Sequence, residues 1–246
     1  MTTVLQRIDI SDRIDLRPSP GLEVRGFDAD TIVAAALRAL AQAVSVDPNW
    51  AAAIDKRIPV AAGLGGGSSD AATALRLAAA TLEHAPEPPA LHRLAATIGA
   101  DVPFFLEQGP QLGEDDGTRL TPLDLPQDYW IVVVLPSDAR KPSTGAVYQA
   151  FDERAAARGH DERRRRLLAA LDGVRRPRDL AALPPNDLAS SPVSSELLEL
   201  GAFRADVSGA GPAVYGLFLH ERDARAAKRR IRRRGRTWVT VPCWYG

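Results

Sequence analysis

A glycine-rich segment in the first third of the chain has the residue types that could bind a phosphate group. Glycines let the main chain adopt positive φ, and they let a ligand approach the backbone amides without meeting a Cβ atom. The apolar run before the segment (residues 51–58) predicts a strand, and the alanine-rich run after it predicts a helix. Free amides and the positive end of a helix dipole would then meet at the segment, which suits phosphate oxygens. The candidate residues are Pro59, Val60, Ala61, Ala62, Gly63, Leu64, Gly65, Gly66, Gly67, Ser68 and Ser69.

This segment, called the glycine loop below (residues 59–69), differs from the two commonest nucleotide-binding loops. No lysine precedes its serines, as a P-loop requires, and its spacing is not that of the dinucleotide fingerprint. We therefore expect a metal ion or residues elsewhere to balance phosphate charge, with Ser68 as a candidate Mg²⁺ ligand. Either Ser68 or Ser69 is predicted to cap the following helix, which would run to about His84. A flexible linker is the alternative, and the flanking strand and helix argue against it.

A carboxylate, Asp101, follows a predicted helix (residues 90–98) that ends at Gly99. A carboxylate beside a phosphate site can orient or accept the proton of an attacking hydroxyl. Phosphoryl transfer needs mainly positioning and charge stabilisation, so Asp101 with Mg²⁺ would be sufficient. Taken alone, an aspartate at such a place is more often a cap or turn residue, and this alternative stays open. Residues 208–212, Ser-Gly-Ala-Gly-Pro, form either a tight turn between strands or a second wall of the site.

The helices and strands that must position these residues are predicted to form two domains along the chain. A helix is predicted from Asp30 or Thr31, and the Pro- and Gly-rich stretch 109–126 is the candidate domain junction. This gives a nucleotide-binding domain over residues 1–125 and a second domain over residues 126–246. The second domain should interleave strands and helices as a split β-α-β, ferredoxin-like unit. Its predicted strands are 129–135, 203–207, 214–219 and 237–241, and its predicted helices are 144–158, a segment after 161, and 221–234.

The composition excludes several classes of function. The 31 basic and 31 acidic residues cancel, so no overall field favours nucleic acid or an anionic membrane. The single cysteine, Cys243, rules out an internal disulfide framework and is typical of a reducing cytoplasm. The four histidines lack metal-ligand spacing, and the apolar run 131–135 is too short to span a bilayer. Two arginine-rich runs, 163–166 and 228–234, are interpreted as solvated helix faces, with a basic patch for RNA as the alternative.

Residues 58–72, Ile-Pro-Val-Ala-Ala-Gly-Leu-Gly-Gly-Gly-Ser-Ser-Asp-Ala-Ala, resemble the ATP-binding motif of the GHMP kinases. Further segments resemble other parts of the same family in the same order, so the resemblance covers nearly the whole chain. These segments are residues 3–12, the aspartate motif 99–105, the substrate-domain signatures 143–148 and 186–188, and the third family motif 207–213.

The resemblance implies an α+β, two-domain GHMP kinase fold, with a ribosomal-protein-S5-like N-terminal half and a ferredoxin-like C-terminal half. Within the family, the segments are most similar to members that use ATP to phosphorylate the 2-hydroxyl of 4-diphosphocytidyl-2-C-methyl-D-erythritol in non-mevalonate isoprenoid biosynthesis. It implies that ATP and Mg²⁺ lie on the glycine loop with Ser68 near the metal. Asp101 would orient the acceptor hydroxyl, Thr144 would contact the small-molecule substrate, and residues 208–212 would lie close to the glycine loop.

Two segments of that family's pattern are missing from the sequence: an N-terminal Lys-x-Asn motif and the Asp-Gly-Tyr-His that follows it. In addition, Thr31 stands where the family has an asparagine. Two alternatives therefore stay open: a catalytically impaired or non-catalytic nucleotide-binding relative, and a GHMP kinase for another small alcohol. A further expectation is that Met1 lies inside the natural reading frame, so that a longer form carries the missing motifs.

Overall fold

A computed structural model of the chain describes residues 1–27, 32–138, 147, 149, 153 and 159–243. The N-terminal half contains a three-stranded sheet with β4 (Trp50–Asp55) at its centre. This strand pairs antiparallel with β2 (Arg13–Pro18) and parallel with β3 (Glu23–Arg25). Ala52 and Ile54 of β4 point into the core while the residues between and after them are exposed, which is the two-residue period of a half-buried strand.

Within the described residues, this half has three α-helices: α1 (Ile32–Ala43), α2 (Gly66–Ala79) and α3 (Pro88–Ile98). Leu37 and Leu40 of α1 and Leu75 of α2 are completely buried in one core with the sheet. The buried face of α2 is otherwise almost entirely alanine, which lets α1 approach it closely and fixes the direction of α2. The N-terminus of α2, where the glycine loop ends, is therefore held by a well-packed core.

A second sheet joins the beginning of the chain to its middle. Strand β1 (Thr2–Leu5) pairs antiparallel with β5 (Gln111–Glu114), which pairs antiparallel with β6 (Arg119–Pro122). The Pro- and Gly-rich stretch 109–126 thus forms a hairpin, and the domain boundary expected there stays a prediction.

In the C-terminal half, the structure describes a four-stranded antiparallel sheet and three α-helices over their full ranges. Its strands β7 (Trp130–Pro136), β8 (Arg204–Val207), β9 (Val214–Phe218) and β10 (Gly235–Thr240) lie in the spatial order β10-β7-β9-β8. That order is the one made by two interlocked β-α-β units, so the expected ferredoxin-like arrangement is confirmed. The helices are α4 (His160–Asp172), α5 (Pro192–Glu199) and α6 (Glu221–Ile231).

The structure corrects the prediction for the start of α2. The helix begins at Gly66 with Gly65 as its N-cap in the left-handed region (φ 67°), and no side chain caps it. Ser68 and Ser69 lie inside the first turn, so neither is the cap, and the helix ends at Ala79 rather than near His84. The predicted cap of α1 at Asp30 or Thr31 and most of the predicted helix 144–158 fall outside the described residues.

The arginines of the run 163–166 lie on α4, and each has an acidic partner. Arg165 and Arg166 pair with Glu162 on the same helix face, while Arg164 reaches Glu114 of β5. Arg163 pairs with Asp187. These pairs agree with the interpretation of a solvated helix face. Among the described helices, none has the length and apolar character needed to cross a membrane.

Candidate active site

The glycine loop places the beginning of α2 at the surface of the N-terminal half. The first amides of an α-helix have no acceptor within the helix, so those of Gly66, Gly67 and Ser68 can bind an anion. The turn into the helix needs a left-handed residue, and Gly65 supplies it without the steric cost of a Cβ atom. Ala61, near the other end of the loop, also has positive φ (56°), which is uncommon for a residue other than glycine.

The loop at residues 208–212 packs directly against the glycine loop. The Ser208 hydroxyl donates a hydrogen bond to the carbonyl of Gly63 (2.8 Å), and the amide of Ala213 donates one to the carbonyl of Ala62 (2.9 Å). A Cβ atom at Gly63 would lie 2.6 Å from the carbonyl oxygen of Gly211, so only glycine fits there. The C-terminal half therefore forms one wall of the glycine loop.

Phe105 forms a contact on the other side of the loop. Its ring would lie 2.8 Å from a Cβ atom at Gly65, so the aromatic edge rests on the backbone where α2 begins. Phe105 belongs to the short 3-10 helix Pro103–Leu106, which directly follows the turn that contains Asp101. This turn (residues 99–102), called the Asp101 turn below, is closed by a hydrogen bond from the amide of Val102 to the carbonyl of Gly99 (3.0 Å).

Asp101 itself is open to solvent, and within the described part of the chain no hydrogen bond or ion pair engages its carboxylate. The protein that surrounds it nevertheless removes enough water to raise the pKa of this carboxyl above its ordinary value. An accessible carboxylate with a raised pKa is better matched to proton transfer near neutral pH than an ordinary aspartate.

A buried ion cluster lies beneath the start of α2. The Lys56 ammonium donates to Asp12 (2.5 Å) and to Asp70 (2.6 Å), and the side chains of the two aspartates are only 2% and 4% exposed. Asp12 also accepts hydrogen bonds from the amides of Arg57 (2.5 Å) and Ile58 (2.7 Å). A Cβ atom at Gly66 would lie 3.2 Å from the Lys56 nitrogen, so the cluster touches the glycine loop.

The three members of this cluster have shifted pKa values with different causes. Burial raises the pKa of Asp70 to about 6, because its hydrogen bond and attraction to Lys56 only partly offset the loss of water. Burial would also raise the pKa of Asp12, but the hydrogen bonds from Lys56, Ile58 and Arg57 outweigh it and hold that pKa below its ordinary value. Burial would lower the pKa of Lys56, and the two aspartates raise it instead.

The structure brings most of the site residues expected from the sequence together at the glycine loop. Pro59 and Ala62 are buried, Val60 and Ala61 are exposed, and residues 63–69 are half-buried around the helix N-terminus. Leu64 packs, together with Ala62, against the core of the C-terminal half. Thr144, the expected substrate contact, lies outside the described residues.

Sequence reasoning missed the charged residues that support the site. Neither Lys56 nor Asp70 is among the site residues predicted from the sequence. One signal could have found Asp70: it falls on the alanine-rich, buried face of α2, and a buried charge requires a partner. Arg7 was missed as well; its guanidinium contacts the 3-10 helix that carries Phe105.

The residues at the loop fit a Mg²⁺ ion that arrives with phosphate groups. Across the described ranges, no group of three or more His, Cys, Asp and Glu side chains could hold a metal. Ser68 supplies one hydroxyl at the third position of α2. Mg²⁺ usually keeps several waters and takes its other ligands from substrate phosphates, so a single protein hydroxyl is compatible with it.

The model of the GHMP kinases N terminal domain matches residues 31–109, and the GHMP kinases C terminal model matches residues 189–237. A 4-diphosphocytidyl-2-C-methyl-D-erythritol kinase from Anaeromyxobacter dehalogenans is 37% identical over 96% of this chain and 78% of its own length. The chain belongs to the GHMP kinase family. Another kinase of that name, from Chlorobium luteolum, is 34% identical over 98% of this chain and 88% of its own length.

Solved structures of GHMP kinases have the same fold. A crystal structure of 4-(cytidine 5'-diphospho)-2C-methyl-D-erythritol kinase superposes with a TM-score of 0.77 at 30% identity, covering 98% of this chain and 89% of that one. A mevalonate kinase superposes with a TM-score of 0.78 at 13% identity, covering 98% of this chain and 92% of that one, and this similarity concerns the fold alone. As a GHMP kinase, the chain is a small-molecule kinase.

Proposed function

We propose that this chain transfers the γ-phosphoryl group of ATP to the 2-hydroxyl of 4-diphosphocytidyl-2-C-methyl-D-erythritol, in non-mevalonate isoprenoid biosynthesis. The observation that carries the proposal is the contact of Phe105 with Gly65, which holds the Asp101 turn beside the N-terminus of α2. The choice of alcohol is supported by the relatives of that name, which share 34–37% of their residues with the chain. We expect the reaction to take place in the cytoplasm.

In the proposed mechanism, the amides at the start of α2 bind the phosphate oxygens of ATP and orient the γ-phosphorus. The acceptor hydroxyl oxygen attacks that phosphorus, the bond to the β–γ bridging oxygen breaks, and ADP leaves. Asp101 orients the hydroxyl and accepts its proton, for which its raised pKa is suited. Residues 126–246 would supply the substrate pocket, with Thr144 as the proposed contact.

Charge balance at the loop is the second requirement of the proposal. Ser68 would hold a Mg²⁺ ion, which when bound neutralises charge on the transferred phosphate. Lys56 places a further positive charge against the loop, but Asp12 and Asp70 already balance it. We therefore propose that Lys56 supports the glycine loop, and that the helix N-terminus and the metal ion neutralise the charge of ATP.

The proposal is tested by measuring ADP release with a panel of alcohols and identifying the product by mass spectrometry. The panel contains 4-diphosphocytidyl-2-C-methyl-D-erythritol, mevalonate, homoserine and galactose. We expect turnover with the first compound alone, and loss of that turnover in an Asp101→Asn variant that still binds ATP. Turnover with a different alcohol would make the chain a GHMP kinase of another specificity. ATP binding without turnover on any alcohol would identify a non-catalytic relative.

A further inference from the structure

Arg7 is a buried arginine that lies between β1 and β2, with only 8% of its surface exposed. An arginine is rarely buried unless its donors are used, because a buried charge without partners is costly. Burial and the nearby Arg76 lower the pKa of Arg7 from its ordinary value, so the protein retains this side chain at an energetic cost. That cost calls for a compensating contact.

The Arg7 guanidinium contacts the end of the 3-10 helix that follows the Asp101 turn. It donates hydrogen bonds to the carbonyl of Phe104 (3.2 Å) and to the carbonyl of Glu107. The same group lies 5.7 Å from the ring centre of Phe104 and 5.8 Å from that of Phe105. One side chain thus binds a carbonyl of this helix, the carbonyl of the residue that follows it, and the aromatic pair on it.

The main chain of Arg7 is held independently of its side chain. The amide of Cys243 donates a hydrogen bond to the Arg7 carbonyl (2.9 Å), and the amide of Asp9 donates one to the carbonyl of Val241 (3.0 Å). Ile8 forms a β-bridge with Pro242 between these two bonds. The main chain of Arg7 is therefore fixed by the segment that follows β10. From there its side chain reaches the segment that follows Asp101.

We propose that Arg7 is a positioning residue for Asp101, acting through the 3-10 helix Pro103–Leu106; this inference rests on the proposed function. The Asp101 carboxylate makes no hydrogen bond or ion pair within the described residues, so the backbone of its turn largely determines where it lies. That backbone is held at Phe105 by the glycine loop and at Phe104 and Glu107 by Arg7. A misplacement of about 1 Å is enough to reduce catalysis roughly 100-fold.

The test compares Arg7→Met and Arg7→Lys with the control Arg13→Met. The wild-type Arg13 side chain is exposed on β2 and pairs with Asp15. Arg7→Met keeps the apolar length of the side chain but removes every donor to the two carbonyls. We expect its kcat to fall between about 10- and 100-fold, with a smaller change in KM for ATP. Arg7→Lys keeps a charged donor without the planar fork, so its kcat should lie between those of Arg7→Met and wild type. The Arg13→Met variant should keep the wild-type kcat.

Two further readouts separate positioning from general stability. Amide hydrogen exchange in residues 99–107 should become faster in Arg7→Met, while exchange in α1 stays as in wild type. In an Asp101→Asn background, Arg7→Met should lower the residual kcat by less than about threefold, because the residue that it positions is already disabled. If Arg7→Met does not fold, Arg7→Lys is used in the same cycle.

Equal losses of kcat in both backgrounds would show that Arg7 acts independently of Asp101, and unchanged exchange in residues 99–107 would show that it does not hold the turn. Either result overturns the inference. Absence of wild-type turnover on every alcohol would instead refute the proposed function, and the exchange measurement would still decide whether Arg7 holds the turn.

Discussion

The pKa of Asp70 leads to a quantitative prediction for the replacement Asp70→Asn. The folded protein raises this pKa from the ordinary 3.8 to about 6, so folding favours the protonated form. A raised pKa contributes stability that is fully present below pH 3.8 and is lost as the pH rises through about 6. The amide side chain that replaces the carboxyl in the variant does not titrate, so the variant lacks this pH-dependent contribution to its stability.

The size of the effect follows from the same two pKa values. A rise from 3.8 to about 6 is close to two pKa units, and each unit corresponds to about 1.4 kcal/mol. Relative to Asp70→Asn, the wild type should therefore lose up to roughly 3 kcal/mol of unfolding free energy as the pH rises from about 4 to about 8. The side chain is only 4% exposed, so solvent screening reduces this figure little.

The assay is urea unfolding of both proteins without nucleotide across that pH range. Asp12→Asn is the matched control, since Asp12 is buried in the same cluster but has a lowered pKa. Stability from a lowered pKa is complete above the ordinary value, so the advantage of the wild type over Asp12→Asn should stay nearly constant between about pH 5 and pH 8. A difference between wild type and Asp70→Asn that is independent of pH, or one that grows with rising pH, would refute the reasoning.

Three further predictions concern the walls of the site. Gly66→Val should weaken ATP binding at least about tenfold in calorimetry, because its Cβ would lie 2.9 Å from Ile58. Gly67→Ala should bind ATP normally, because the nearest atom to its Cβ would be 3.6 Å away, on Ile32. Asp101→Asn should lower turnover about 10²- to 10⁴-fold while the melting temperature and ATP affinity stay near wild type, and a large loss of stability with normal turnover would make it a structural residue. Ser208→Ala should cost about 1 kcal/mol in unfolding free energy, since it removes the bond to the Gly63 carbonyl; equal stability of the two proteins would show that the loops are held by packing alone.

Patterns of neighbouring residues in the sequence predicted the strands and helices of the fold, which depend on residues close together in the chain. The four strands of the C-terminal sheet follow runs of apolar residues, and their order follows from the helices between them. The predicted cap of α2 lies three or four residues too late, because serine is a commoner cap than glycine. The determining factor was the conformation of Gly65: a left-handed residue there lets the helix begin at Gly66 without any side-chain cap.

The support of the site could not be predicted because it joins distant parts of the sequence. Lys56 pairs with Asp12, 44 residues before it, and with Asp70, 14 residues after it. Arg7 meets Phe104 across 97 residues. No spacing rule connects such positions, since their proximity arises only when the core between α1, α2 and the sheet has formed. Buried charge on an otherwise apolar face was the one local signal available.

The attachment of residues 7–9 to residues 241–243 has a consequence for the order of folding during synthesis. The core of the N-terminal half can form once the short 3-10 helix Pro103–Leu106 has emerged, since all its members lie in the first 106 residues. The hydrogen bond to the Arg7 carbonyl cannot form until Cys243 has been made, and the hydrogen bond to the Ala62 carbonyl cannot form until Ala213 has been made. In a nascent chain, α2 can therefore fold before the loop at residues 208–212 exists to pack against the glycine loop, and before the main chain of Arg7 is fixed. Both supports of the proposed site, the loop at residues 208–212 and the fixed main chain of Arg7, are thus among the last parts of this sequence to be synthesised.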